Sequence, residues 1–390
     1  MAIRVAPRSD LAPFMVMSVM RQAAALEAAG KKVLHLEVGQ PASPAPAAAI
    51  RAITAALPDP ASHGYTLALG QASLRQAIAE LYERWYGISL AAERVVVTVG
   101  SSLGFAMAFL TCFSPGERIA LVVPGYPAYR NLLSAVGLEA VSVPARAEAG
   151  WVPSIAALEA LDPKPDGLIL ASPSNPTGVV LPAELLAGIA CWCHNNNVRL
   201  IADEIYHGIS FETAASTALA YSESVLVVNS LSKYFSMTGH RVGWMVVPDD
   251  LVDPMERLAQ NLIISVPTLS QIAARAAISE ASAHKELQQL VARYRENRDI
   301  LLENLNPQFL GNHAPAMGAF YLYADTSALS DDSSRLCHAL LHEAGVAMTP
   351  GVDFDPEQGH HAVRLSFAGS SADMLAASQA INRWLDTKQR

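Results

Sequence analysis

Charge is scarce in this chain. Only 16% of its 390 residues are Asp, Glu, Lys or Arg, against roughly a quarter in an ordinary soluble protein, so part of the surface is expected to lie under a partner subunit. Cysteine is scarcer still. Four cysteines (Cys112, Cys191, Cys193, Cys337) are scattered along the sequence, which excludes a disulfide framework and fits a reduced, cytoplasmic protein. The net charge is −9 and no lysine or arginine run occurs, which argues against nucleic acid or an anionic membrane as partner. Long apolar runs are missing too. The stretch Leu11-Ala-Pro-Phe-Met-Val-Met is broken by Pro13 and soon followed by Arg21, too short to span a bilayer and poor as a signal peptide.

Several chemistries lack their motifs. No Gly-x-Gly-x-x-Gly or P-loop ending follows a strand, and no Gly-x-Ser-x-Gly elbow is present, so dinucleotide, P-loop and serine-hydrolase readings have no support. Cys191-Trp-Cys193-His194 sits in a helical pattern, where residues two apart face different ways. His360-His361 has no further ligand at a suitable spacing. No metal is expected.

What is present is apolar residues, at 51%, enough for a large core in two or three domains. A helix is expected over 16–29, stopped by Gly30, and a strand over 33–38. Apolar runs then alternate with helical patterns, and strands are expected over 95–98, 119–123, 168–171, 199–202, 225–229 and 242–247. Helices are expected between them, as at 103–113 and 182–194. Such alternation indicates a mostly parallel sheet covered on both faces. Beyond about residue 270 it gives way to long helices (270–280, 283–304), strands at 318–323 and 363–367, and a helix over 333–343. That pattern points to a second, α+β unit packed against the first.

Ligands of parallel sheets bind beyond the carboxyl ends of the strands. Gly100-Ser101-Ser102, Asn175-Pro-Thr-Gly178, Asp203 and Ser230 each follow a candidate strand, which suggests one shared site. The turn at Gly100 can present the N–H groups of Ser101 and Ser102 to an anion at a helix start, though a turn of this kind is as readily structural. Lys233 alone reads as a solvated surface residue. Its neighbours change that reading, because small hydroxyl and apolar residues surround it and no charge follows until Arg241.

The set Asp203, Tyr206, Ser230, Lys233 and Arg241 suits pyridoxal phosphate. A lysine that forms a Schiff base needs the phosphate held nearby, and the Arg241 guanidinium, with Ser230, can hold it. Asp203 can keep the pyridine nitrogen protonated so that the ring acts as an electron sink. Asn175, otherwise part of an ordinary Asn-Pro turn, can share the ring oxygen with Tyr206. Tyr126 can stack on the ring or simply pack in the core. Arg364, in the apolar run Val-Arg-Leu-Ser-Phe, either pairs with an internal acid or grips a substrate carboxylate.

Those segments, with Gly39-Gln-Pro41, Tyr65-Thr-Leu-Ala-Leu-Gly70, Pro124-Gly-Tyr126-Pro, Arg241-Val-Gly243 and Gly318-Ala-Phe320-Tyr, resemble the class I/II aminotransferases, pyridoxal phosphate enzymes of fold type I. The resemblance runs from about Phe14 to Trp384. It implies an α/β fold with a large domain (45–270) built on a mostly parallel seven-stranded sheet. A smaller α+β domain would be formed by both chain ends (1–44 and 271–390). It further implies that Lys233 carries the cofactor and moves the substrate's Cα proton, with Asp203 on the ring nitrogen and Asn175 and Tyr206 on the ring oxygen. Gly100, Ser101, Ser102, Ser230 and Arg241 would hold the phosphate, together with Tyr65 from the other subunit of a homodimer. Arg364, helped by the Gly39 backbone and Asn175, would bind the α-carboxylate of an amino acid or 2-oxo acid.

Two features bear on the substrate. The position where aspartate-specialised relatives carry a second arginine aligns with the neutral Asn261, and no lysine lies between Lys32 and Lys164. The side-chain pocket expected from Phe14, Met15, Leu103 and Phe320 is apolar. A neutral or aromatic donor is therefore expected over aspartate. His240 stands where tryptophan is common before the arginine. The competing readings are a pyridoxal phosphate-dependent C–S β-lyase and a non-catalytic regulatory protein of the same fold. Against the second stand the complete Lys233, Asp203 and Arg364 set and the lack of a basic helix-turn-helix ahead of the fold.

Overall fold

The computed structural model describes residues 5–388; residues 1–4 and 389–390 of the expected small-domain segments lie outside the described residues. At its centre is a seven-stranded sheet made of β1 (Val95–Thr98), β2 (Arg118–Val123), β3 (Glu139–Pro144), β4 (Gly167–Ala171), β5 (Arg199–Asp203), β6 (Leu226–Ser230) and β7 (Gly243–Val246). Their order across the sheet is β1-β7-β6-β5-β4-β2-β3. Neighbours are parallel except at β7, which runs antiparallel to both β1 and β6.

Side chains of a strand alternate between the two faces, and here both faces are buried. Val95, Val97, Leu168, Leu170, Leu200, Ala202 and Val227 enter one core. Val96, Ile169, Ile201, Leu226, Val228 and Met245 enter the other. This explains why the strands read as unbroken apolar runs rather than as alternating ones. β3 was not among the strands expected from those runs. It lies at one of the sheet's two edges and, unlike β1 at the other, is mostly open to solvent, Val143 being its one fully buried residue, so Glu139-Ala-Val-Ser-Val-Pro144 carries no continuous apolar signal.

One helix, α1 (Met15–Ala28), precedes the sheet, ending just before Gly30 at φ 79°. The strand expected over 33–38 shortens to Leu34–His35, which pairs in parallel with Val346–Ala347 and so joins the two ends of the chain. After the sheet come helices Asp249–Leu262, Thr268–Ser279 and Ala281–Asn304. A three-stranded antiparallel sheet follows, formed by β8 (Tyr321–Asp325), β9 (Thr349–Pro350) and β10 (Ala362–Ser366) in the order β9-β10-β8. Gly318-Ala-Phe320 lies outside β8, because Ala319 takes φ 56° and Gly318 makes only an isolated bridge to Ser210. Leu36, Val346 and Leu365 share one continuous core with the first face of the large sheet. Among the described residues no helix is long and apolar enough to cross a membrane.

The direction of each strand decides what reaches the site. β1, β2, β4, β5 and β6 all point their carboxyl ends at one rim of the sheet. They deliver Gly100, Tyr126, Asn175, Asp203 and the Ser230–Lys233 turn there. β7 runs the other way, so its amino end lies at the same rim and brings Arg241 to it. Gly243, at that end, has no room for a side chain. A Cβ would lie 2.7 Å from the Gly100 carbonyl carbon and 2.8 Å from the Ser101 nitrogen. We expect Gly243→Ala to lower unfolding free energy by about 1–3 kcal/mol through overpacking, measured by urea denaturation; unchanged stability would contradict this packing.

Candidate active site

The rim encloses a cleft of about 1340 Å³, open to solvent. Its lining includes Gly39, Ser101, Ser102, Tyr126, Asn175, Asp203, Tyr206, Lys233, Arg241 and Arg364. Sequence separations of up to 325 residues thus collapse into one cavity.

Lys233 leaves the turn after β6 and donates from Nζ to the Gly39 carbonyl at 2.6 Å. The Tyr206 and Phe320 rings lie 5.8 and 5.9 Å from the nitrogen. Burial lowers its pKa to about 8; the Arg364 and Arg241 cations push the same way and Asp203 opposes them. A lysine in this state is a neutral amine nucleophile within reach of ordinary pH.

Asp203 ends β5. Burial raises its pKa to about 6, held back by a hydrogen bond from the Tyr129 hydroxyl, one from the Ile205 N–H (3.1 Å) and the charge of Lys233. Tyr129 was not singled out from the sequence. It lies three residues beyond Tyr126, in helix α2 (Pro127–Val136), so it meets the site just below Tyr126. Sequence spacing on a helix starting at Pro127 carried that signal.

Arg364 projects from β10 and is buried. Its Nη1 donates to Asn175 Oδ1 (3.1 Å), and its Nη2 donates to the Glu37 carbonyl and to Thr349 Oγ1 (3.2 Å). The guanidinium is sandwiched by the Tyr321 and Phe354 rings at 4.4 and 4.8 Å. Among the described residues no acid forms an ion pair with it, so the internal ion-pair alternative falls away there, and the cation lines the cleft. With Oδ1 committed to Arg364, Asn175 keeps its Nδ2 hydrogens for donation. Tyr321, also missed from the sequence, hydrogen-bonds Tyr206 hydroxyl to hydroxyl at 2.8 Å. Its phenol occupies the place a Cβ at Gly39 would need.

At the other end of the cleft, Ser101 and Ser102 open the helix Gly100–Cys112. Gly100 has φ 70°, and a Cβ there would collide with the Arg241 guanidinium. The arginine is thereby pressed against the first turn of a helix, where N–H groups and dipole favour an anion. Ser230 behaves otherwise. It is buried, its one hydroxyl proton lies within reach of both Ser232 Oγ (2.8 Å) and the Val242 carbonyl (3.1 Å), and Ser232 lines the cleft in its place. Tyr65 is 82% exposed and lies outside this chain's own cleft.

The apolar wall differs from the expectation. Phe14 lines the cleft, but Met15, Leu103 and Phe320 do not; Val16, Met17, Met20, Phe105 and Leu132 do. Phe320, just ahead of β8, is fully buried, its ring packed against those of Tyr294 and Tyr321. Leu103 packs into the second core instead. Asn261 is exposed on the helix Asp249–Leu262 and donates to the Arg257 carbonyl. Among the described residues no group of three His, Cys, Asp or Glu is placed to hold a metal.

The sheet, its reversed β7 and the site at its rim define the fold of aspartate aminotransferase, and solved structures of that fold superimpose closely. An aminotransferase from Mycobacterium tuberculosis matches with a TM-score of 0.96 at 44% identity, over 99% of this chain and 100% of that one. Aspartate aminotransferase from Thermus thermophilus matches at 0.93 and 30% identity, over 98% of this chain and 100% of that one. Residues 31–381 match the family described as aminotransferase class I and II. The chain belongs to that family and is an enzyme of the transaminase type. It is 44% identical to a valine–pyruvate aminotransferase of M. tuberculosis over the full length of both. It is 32% identical to an aspartate/prephenate aminotransferase of T. thermophilus, over 96% of each chain. Enzymes of this family depend on pyridoxal phosphate.

The depressed pKa of Lys233 has a direct readout. Its labelling by an amine-reactive reagent, followed by mass spectrometry on the unliganded protein, should rise with pH and reach its midpoint near 8. Labelling that rises only above pH 10, as for a surface lysine, would show that burial and the two arginines do not act on it.

Proposed function

We propose that this aminotransferase holds pyridoxal phosphate on Lys233 and takes its amine from a neutral, apolar amino acid of valine type, in preference to aspartate. The acceptor is a small 2-oxo acid of pyruvate type, and the working unit is a homodimer in which Tyr65 reaches the partner's phosphate. The observation that carries the substrate reading is the cleft's charge. Among the described residues, Lys233, Arg241 and Arg364 are the cations that line it, and each has a task, which leaves none of them for a side-chain carboxylate. Opposite them stand Phe14, Val16, Met17, Met20 and Leu132. The likeness to the valine–pyruvate enzyme supports the same reading.

The residues fit the cofactor. Arg241, pressed against the Gly100 turn, would hold its phosphate with Ser101, Ser102 and Ser232, while Ser230 supports Ser232 from behind. Asp203 would hold a proton on the ring nitrogen, Tyr206 and the Asn175 amide would donate to the ring oxygen, and Tyr126 would lie against the ring. When bound, the cofactor supplies the electron sink that lets the amino acid's Cα–H bond break. Lys233 Nζ, whose pKa burial lowers to about 8, accepts that proton and returns it at the far side of the exchange. Arg364 grips the α-carboxylate and thereby sets the Cα hydrogen toward Lys233. The apolar wall covers the donor's side chain and excludes water from the proton transfer.

Initial rates with valine, leucine, alanine, phenylalanine and aspartate, each with 2-oxobutanoate, a small acceptor of pyruvate type whose product differs from every donor, test the donor class. Valine or leucine should lead, and a preference for aspartate would overturn the reading. Arg364→Ala should lower kcat/KM for the best donor roughly 10–150-fold for each charged hydrogen bond lost, at about 1.5–3 kcal/mol per bond. An unchanged value would remove Arg364 from the carboxylate.

A further inference from the structure

Helix α1 supplies Phe14, Val16, Met17 and Met20 to the cleft wall, and yet its own sequence gives it a poor start. The N-cap residue is Phe14, whose side chain caps nothing. Helix ends leave their first N–H groups without partners, and a buried or half-buried wall segment cannot leave that need to water alone. The missing acceptor comes from 338 residues away: the Met15 N–H donates to Asp353 Oδ1 at 3.4 Å.

Asp353 is itself buried. It closes the short turn Gly351–Asp353 directly after β9. Arg130 fixes that turn from α2 by donating to the Asp353 carbonyl at 3.0 Å. The other carboxylate oxygen, Oδ2, has no hydrogen-bond partner among the described residues. Burial pushes the carboxyl's pKa up, and the N–H groups of Met15 and Val16 and the charges of Arg364 and Arg130 hold it down. A carboxylate placed so expensively gains most from the positive end of a helix. The residue is not part of the cleft lining, so it acts on the site through what it holds.

We infer that Asp353 is a positioning residue for donor selection: it caps α1 from the other end of the chain and so fixes the apolar wall relative to Arg364. The same segment carries Thr349, which accepts from Arg364 Nη2. One short stretch, 349–353, thus sets both the carboxylate grip and the wall four residues away along the fold's seam. Phe14 extends this to the ring-stacking position, since its ring meets Tyr126 edge-on at 5.9 Å. The inference rests on the proposed apolar donor for its substrate class, but the cap itself does not.

Two readouts separate these. Hydrogen exchange of the full-length enzyme should show the amides of Met15 and Val16 losing protection in Asp353→Ala, with the sheet strands unaffected. Steady-state kinetics should show kcat/KM for the best donor of the panel falling about tenfold, carried mainly by KM, while alanine, too short to lean on the wall, changes less than about threefold. Asp353→Asn keeps an acceptor oxygen at the helix end and should recover most of both. Unchanged protection in Asp353→Ala overturns the cap. Lost protection with the best donor and alanine falling equally, or not at all, overturns the role in selection. A wild-type preference for aspartate would sink the donor reading and leave the exchange result to decide the cap on its own.

Discussion

The site depends on a single electrostatic constraint: an amine is kept out of water between two guanidiniums and one carboxylate. Lys233 could not remain neutral near pH 8 at the surface, where an ammonium is well hydrated. Burial penalises its charge, Arg364 and Arg241 add to the penalty, and Asp203 limits it. Asp203 experiences the reverse. Buried, it resists ionisation, and Tyr129, the Ile205 amide and Lys233 together restore part of its acidity. Both groups are thereby moved toward neutral pH, the range in which a site can exchange protons without a strong acid or base.

This balance needs rigid supports, and the sheet provides them. Five parallel strands and one reversed strand bring their ends to one rim, so no residue of the set has to stretch across a flexible loop to arrive. The close backbone approaches at Gly39, Gly100 and Gly243 work in the same way. At each, the missing side chain leaves room for Tyr321, for Arg241, or for the first turn of the helix. The anion site and the amine are thus set by packing rather than by side-chain reach alone.

Much of this was legible in the sequence. Six strands announced themselves as apolar runs because they are buried on both faces. Lys233, Asp203, Tyr206, Asn175, Arg241 and Arg364 could be named because their chemistry is unusual at the ends of such runs. What escaped did so for physical reasons. β3 is an edge strand with little buried surface, so its residues look like a loop. Tyr129 and Tyr321 act through hydroxyls that touch Asp203 and Tyr206, and a tyrosine in a sequence does not say where its oxygen points. Ser230 and Ser232 differ only in which way the turn after β6 aims them. Met15, Leu103 and Phe320 are apolar residues beside apolar residues, and only the rotation of a helix or the turn ahead of a strand separates wall from core.

The parallel ladder of Leu34–His35 with Val346–Ala347 has a consequence for how such an enzyme can diversify. It ties the segment before the large sheet to the segment after it, so α1 packs against residues 346–350 although they are remote in the chain. The central strands hold the amine, the acid and the anion cradle. The joined ends hold Arg364 and most of the apolar wall, with Phe105 and Leu132 reaching it from helices of the large sheet. The proposed reaction and the larger share of the proposed selectivity are therefore written on different parts of the gene, and one can drift further than the other.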